Sequence, residues 1–183
     1  MILFGSIQSA AAIDNVTLEK KEFSIQYPSN WKVNDYWNKF QNEVTLQADL
    51  RSGSGMSIKH QKSITPISTI NHELIQFLIE NEKVNCRENK GGPCWGFEFT
   101  SAKTTTMDGT QAIFLQFETT LKDKNTIVKK ILLPDGDENW LITIKVTKDK
   151  KELLEEIEKS LETFSRNIEN SNQVNLSSIE SSK

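Results

Sequence analysis

The chain is poor in the residues that build most catalytic and metal sites. Its 183 residues include only two histidines and two cysteines. His60 and His72 form no H-x-x-x-H pair and have no third ligand nearby in sequence, so we interpret both as surface or sheet-edge residues. No G-x-S-x-G nucleophile motif and no glycine-rich phosphate-binding loop is present. The sequence therefore predicts no catalytic, cofactor-binding or metal-binding residue.

The chain also lacks a strong charge of one sign and any long apolar run. Its 22 basic and 25 acidic residues give a net charge of -3, and no run of lysine or arginine exceeds two. Such a balance offers no general attraction for nucleic acid, which is not expected as a partner. No stretch approaches the ~20 apolar residues of a membrane-spanning helix, so no transmembrane segment is expected in the mature chain.

Three segments differ in composition: 1–13, 14–166 and 167–183. An apolar run, Met1–Gly5, precedes the small residues Ser9, Ala10 and Ala12. Small residues after an apolar run are typical of a secretory cleavage region, so 1–13 is predicted to be the remnant of a signal peptide. The alternative is a first β-strand or an unstructured start. The segment 14–166 is predicted to be the folded domain, and the last segment, rich in Ser and Asn, to be a disordered polar tail.

The two cysteines lie close together in sequence, at Cys86 and Cys94, with Gly91-Gly92-Pro93 between them. Glycine and proline favour a turn, which would bring the two sulfur atoms together. The alternatives are a metal pair or a redox pair, but zinc sites prefer C-x2–4-C and redox sites C-x-x-C. The spacing therefore favours a structural disulfide, which is typical of exported proteins.

Alternating apolar and polar residues predict most of the strands. They predict a strand within Val16–Tyr27, a hairpin over 43–61 and four antiparallel segments between 95 and 146. Asp108-Gly109 is typical of a tight hairpin turn between two of these segments. Asp135-Gly136-Asp137 has a faint likeness to a calcium loop. It lacks the five spaced ligands of an EF-hand, so we interpret it as a turn.

Two helices are predicted between and after the strands. The first has Thr65 as its N-cap and Pro66 at its first position, and is expected to end near Glu82. The second is expected over Lys148–Phe164, with leucine and isoleucine on one stripe and glutamates on the other. The order of elements predicts an α+β domain, in which helices cover an antiparallel β-sheet.

The aromatic residues are expected to build the core rather than to stack on a ligand. Trp95 and Phe99 belong to this predicted core. Phe114 and Leu132 fall out of phase with their neighbours on the strands, so both are expected on the second face of the sheet.

Three motifs resemble the PsbP family, which is named for an extrinsic subunit of photosystem II. They are Phe23–Val33, which reads FSIQYPSNWKV and is similar to the family's opening F-S-[IF]-x-Y-P-x-x-W-x-V, then Asp108–Ala112, and last Asp137–Thr143 with Leu161–Phe164. The resemblance covers roughly 20–165 and implies an α-β-α sandwich around an antiparallel sheet. It also implies an exported protein, because members occur in the thylakoid lumen, in cyanobacteria and as exported archaeal proteins.

The absence of a catalytic motif and the resemblance together predict a function. We expect a non-enzymatic extracytoplasmic accessory or binding protein with a protein partner, in a membrane-attached complex. The alternatives are a binding module for a small ligand or metal ion, and a hydrolase whose site forms only in three dimensions. A shared fold does not by itself imply a shared function.

Overall fold

The computed structural model describes residues 14–37, 42–62, 70–88, 90, 94–121 and 124–167. The predicted signal remnant, 1–13, lies outside them, as does the polar tail beyond Asn167. The strands are β1 (Asn15–Glu19), β2 (Phe23–Pro28), β3 (Lys32–Asp35), β4 (Glu43–Asp49), β5 (Ser54–Lys62), β6 (Gly96–Met107), β7 (Thr110–Leu121), β8 (Lys124–Asp135), β9 (Glu138–Thr147) and β10 (Ser165–Arg166). The helices are α1 (His72–Arg87) and α2 (Glu152–Glu162), and a 3-10 turn spans Lys148–Lys150.

A seven-stranded sheet in the order β3-β4-β5-β9-β8-β7-β6 forms the centre of the molecule. All its neighbouring strands are antiparallel, so the predicted hairpin and four-stranded meander are both present. Asp108 and Gly109 have φ values of 49° and 74° at the turn between β6 and β7. Positive φ at both positions is what a type I′ turn requires, as their sequence predicts.

A second, three-stranded sheet joins the two ends of the domain. Its middle strand is β2, which pairs with β1 on one side and with β10 on the other. The strand material expected within Val16–Tyr27 forms two strands, which separate where the Lys20 amide donates to the Phe23 carbonyl oxygen at 2.8 Å. The last two residues of the folded domain thus complete a sheet that begins with its first strands.

The large sheet has two faces of different character, called here the inner and outer faces. The inner face bears Met56, Ile58, Ile142 and Ile144, which are buried beneath α2 and the small sheet. Phe114 belongs to this side, where it packs against the core. Leu132 does not, because it pairs with Ile113 in the register of β7 and β8. The expectation that Phe114 and Leu132 share a face is therefore wrong, since the partner of Phe114 on β8 is Ile131 and not Leu132.

The outer face is crossed by a row of paired residues. The row runs Thr45, Ser57, Thr143, Lys130 and Leu115, from β4 to β7. Its β4, β5 and β9 part is polar, whereas the β7 part is apolar and buried. Helix α1 packs mainly on β6 and β7, so it covers chiefly the apolar end of the row.

Helix α1 differs from its predicted bounds. Ile70 and Asn71 are not helical, and the Asn71 side chain accepts a hydrogen bond from the Leu74 amide at 2.9 Å. An asparagine that caps a helix in this way marks its start, so the start predicted at Pro66 is wrong; Thr65 and Pro66 themselves lie outside the described residues. The helix ends at Arg87 rather than near Glu82, because its last turn carries Cys86 to the disulfide.

Helix α1 has no buried residue, whereas α2 buries Leu154, Ile157 and Ser160. The described part of the protein is therefore mainly antiparallel sheet with two helices rather than a clear α-β-α sandwich. No helix in the described ranges is long and apolar enough to cross a membrane.

Candidate binding cleft and aromatic surface beside helix α1

A cleft of about 340 Å³ lies on the outer face, beside the area that α1 covers. Three described elements form its walls: the last two turns of α1, the residues before β6, and the middle strands of the sheet. The residues that line it are Ser57, Glu82, Asn85, Cys86, Lys90, Cys94, Phe117, Thr119, Val128, Lys130, Thr143 and Lys145.

The apolar side of the cleft is formed by two sheet residues and the disulfide. Phe117 and Val128 are buried neighbours on β7 and β8. Cys86 and Cys94 are joined by the predicted disulfide, with their Cα atoms 5.1 Å apart. The bridge ties the last turn of α1 to the start of β6, which fixes one wall of the cleft.

The polar side of the cleft is formed by β5, β8 and β9. Ser57 and Thr143 are cross-strand partners there. Lys130 donates to the Glu82 carboxylate of α1 at 2.6 Å, and this ion pair links the helix to the sheet. Lys145 is exposed, and no ion pair to it occurs among the described residues. The cleft therefore has an apolar side and a cationic side.

Exposed aromatic side chains surround the same helix. Phe77 on α1 is 62% exposed, Trp95 is 66% exposed, and Phe99 on β6 is 42% exposed. The prediction that Trp95 and Phe99 belong to the core is wrong. Strand β6 is the edge of the sheet, and α1 covers too little of it to bury both side chains. Phe97, in contrast, packs on Phe117 with ring centroids 5.0 Å apart.

The two histidines have different surroundings. His60 is largely buried and stacks on Trp140, with ring centroids 4.2 Å apart. Its Nε2 atom lies 3.1 Å from the Glu138 carboxylate, and β5 is an inner strand of the sheet, so the expectation of a surface or sheet-edge residue is wrong. The reason is that Trp37 also stacks on this ring, from the loop after β3. His72 is exposed at the first position of α1.

The two aspartates of the predicted turn at 135–137 have different surroundings. Asp135 accepts a hydrogen bond from the Trp140 indole at 2.9 Å and lies 3.7 Å from the Arg166 guanidinium. Asp137 is exposed in the turn. Within the described ranges, no three His, Cys, Asp or Glu side chains are grouped to hold a metal ion.

Sequence reasoning missed Arg166 and Lys145. Arg166 binds Asp108 and Thr110, which are 58 and 56 positions away in sequence. Lys145 follows the alternating pattern of β9, where a polar residue is expected and carries no further signal. Only the position of α1 makes it part of a cleft.

Among the residues that the structure describes, the pKa departs clearly from its ordinary value at four surface groups. They are Asp35, Asp49, Glu88 and Lys148. The pKa is lowered at the three acids and raised at the lysine. In each case the largest cause is one hydrogen bond to a nearby group, such as the bond from Lys20 to Asp35. None of the four lines the cleft, so these shifts belong to surface pairs and turns rather than to a group prepared for catalysis.

The architecture defined by these elements is shared with solved structures. No sequence-family profile and no curated protein matches the chain. Its structure is similar to that of cyanobacterial PsbP (CyanoP) from Synechocystis sp. PCC 6803, with a TM-score of 0.57 and 14% identity over 91% of this chain and 98% of that one. It is also similar to LpqN, described as involved in cell envelope biogenesis of Mycobacterium tuberculosis, with a TM-score of 0.51 and 14% identity over 84% of this chain and 91% of that one. The chain thus has a PsbP-like fold, as the sequence resemblance predicts, and at these identities the likeness is one of fold alone.

Proposed function

We propose that this protein is a non-catalytic, extracytoplasmic accessory protein that binds a protein partner in a membrane-attached complex. The observation that carries the proposal is the exposure of Phe77, Trp95 and Phe99 on α1 and at β6. The other large apolar side chains exposed in the described ranges lie singly elsewhere: Val16, Tyr36 and Leu50. Three of these six exposed side chains therefore lie on α1 or at β6. The surface that Phe77, Trp95 and Phe99 form is named here the α1–β6 surface.

The α1–β6 surface has two properties of a protein-binding surface. Covering exposed aromatic groups with a partner removes apolar surface from water, which favours binding. Tryptophan is also enriched among the residues that dominate binding energy. Strand β6 is also an edge strand twelve residues long, so its outer backbone groups can pair with a strand of another chain.

The proposed location is supported by the disulfide and by the resemblance. Disulfides persist in oxidising compartments and are rare in the cytosol. The chain's structural neighbours include a cyanobacterial PsbP and LpqN, which is described as involved in cell envelope biogenesis. The predicted signal remnant, 1–13, agrees with export. We also propose that α1 and α2 correspond to the two outer layers of the sandwich that the resemblance implies.

The test compares surface variants with a control of equal exposure. The tagged protein is exchanged into the native membrane fraction, cross-linked and recovered with its partner. F77S and W95S, made singly, are expected to reduce recovery of the partner several-fold. L50S is the matched control, because Leu50 is 61% exposed but lies between β4 and β5. Equal loss in all three variants, or no partner at all, would contradict the proposal.

A second candidate function, a small-ligand binding module, is favoured by the cleft on the outer face.

A further inference from the structure

We propose that the cleft beside α1 binds a small organic carboxylate with an apolar body, and that Lys145 binds its carboxylate. The inference does not depend on a protein partner at the α1–β6 surface. It deepens the second candidate function by naming the chemical class of the ligand. Its basis is the arrangement around one concave space of a lysine that has no ion pair among the described residues, two residues with hydroxyl groups and an apolar floor.

Lys145 is the lysine of the cleft whose charge is available to a ligand. The other lysines that line the cleft are paired, Lys130 with Glu82 and Lys90 with Glu88, each at 2.6 Å. Lys145 has no such ion pair within the described ranges. An unpaired lysine on a flat surface needs no ligand because water solvates it. Lys145 instead stands beside an apolar cleft, where an anion would exchange part of its water for a fixed cation.

On the β5 side, the position next to Lys145 contains no side chain, because the cross-strand partner there is Gly55. A Cβ atom at Gly55 would come within 2.3 Å of the Leu46 carbonyl oxygen, so the close approach of β4 excludes a larger residue there. The surface of β5 next to Lys145 is consequently bare backbone, and the residue opposite Lys145 on β5 cannot cover its ammonium group.

Hydroxyl groups near Lys145 can orient a carboxylate. Thr143 lies two residues before Lys145, so both side chains point to the same face of the sheet. Ser57 pairs with Thr143 across β5 and β9. Both residues line the cleft, and the hydroxyl group of each can donate to a carboxylate oxygen.

The part of the cleft formed by β8 and β7 suits an apolar body. Phe117 and Val128 are buried and form the floor there, and Val128 is the partner of Lys145 on β8. The half-buried disulfide of Cys86 and Cys94 forms the wall beneath α1. A volume of about 340 Å³ is at the lower end of the range for small-molecule sites. The geometry therefore fits a single anionic group joined to a short apolar chain.

Octanoate is the probe, and octanol is its uncharged counterpart. Both are titrated into the full chain while the NMR signals of Val128 and Thr143 are followed. Octanoate is expected to shift these signals and to bind more weakly as the salt concentration rises, because salt screens the Lys145 charge. Octanol is expected to bind with little salt dependence.

Variants separate the charge from the rest of the cleft. K145Q should weaken octanoate binding about tenfold, the loss expected for one charge-assisted hydrogen bond near a surface, and leave octanol binding unchanged. K145R should bind octanoate within about threefold of the wild type, because the positive charge is kept. K59Q is the control, since Lys59 lies on the same face of β5 but does not line the cleft; it should change nothing.

Three results would overturn the proposal. They are no octanoate shift at Val128 and Thr143, equal effects of K145Q and K59Q, or equal loss of octanol and octanoate in K145Q. Phe77 and Trp95 do not line the cleft. A negative result with K145Q therefore leaves the protein-partner proposal standing, and a negative result with F77S and W95S leaves the carboxylate proposal standing.

Discussion

Replacement of Arg166 is expected to destabilise the whole domain, although this residue is the last of the final strand. Its guanidinium donates to the Asp108 carboxylate at 2.8 Å, to the Asp108 carbonyl oxygen at 3.1 Å and to the Thr110 hydroxyl at 2.6 Å. The side chain is only 7% exposed, and that of Asp108 is 18% exposed. The network joins the small sheet to the turn between β6 and β7.

The expected cost follows from this burial. Removing one partner of a buried ion pair costs about 3–5 kcal/mol, because the other charge is left uncompensated. Asp108 keeps some contact with solvent and still accepts a hydrogen bond from the Arg166 amide at 3.0 Å. R166M should therefore lower the free energy of unfolding by about 3 kcal/mol, at the low end of that range. R166K should cost less, since a lysine keeps the charge and loses the planar donor group.

Urea unfolding followed by circular dichroism measures both values, and a double-mutant cycle with D108N isolates the pair. The two substitutions should be clearly non-additive, with a coupling energy above about 0.5 kcal/mol. A loss below about 1 kcal/mol for R166M, well short of the buried-pair range, or additive effects with D108N, would refute the reasoning. The pair would then be an ordinary surface contact despite its geometry.

Two further predictions concern the disulfide and the surface ion pair of Lys20 and Asp35. The double variant C86A/C94A should be about 2–3 kcal/mol less stable than the oxidised wild type in urea, because the bridge closes a short loop in the unfolded chain. Thiol titration of unreduced, denatured protein should find no free thiol, and two free thiols at Cys86 and Cys94 would contradict the bridge. Lys20 lowers the pKa of Asp35 below its ordinary value of 3.8, so the stability that this carboxylate adds is present above about pH 4 and is lost as the pH falls through the lowered pKa. The difference between the wild type and D35N, at most about 1 kcal/mol at pH 7, should therefore shrink as the pH falls below about 4; a difference that does not change with pH would show that it does not arise from the charge.

The sequence predicts well those features that depend on a few neighbouring residues. Alternation identifies the hairpin of β4 and β5 and the meander of β6 to β9, because each strand face is set by residues two positions apart. Asp108-Gly109 predicts its turn because few other residues adopt positive φ. The disulfide of Cys86 and Cys94 is equally local, since a glycine- and proline-rich turn separates its ends by few residues.

Helix bounds and strand faces are less accessible from the sequence. Thr65-Pro66 is as good a helix start in sequence as Asn71, and no local feature of the sequence decides between them. Leu132 falls on the other face from Phe114 because register between strands is a property of the pair.

The functional features depended most on tertiary structure. Trp95 follows a core pattern, yet it is exposed because β6 is an edge strand that α1 covers only in part. His60 looks like an edge residue, yet Trp37 and Trp140 enclose it.

The sequence by itself thus determined the strand pattern, the disulfide, the absence of a familiar catalytic motif and the resemblance to PsbP. The tertiary structure alone decided which residues surround the cleft, which aromatic groups meet solvent, and that Arg166 binds Asp108. The physical reason is range. Backbone preferences and alternation act between near neighbours, whereas burial and ion pairing depend on residues that chain folding brings together from far apart in sequence, such as Arg166 and Asp108, 58 positions apart.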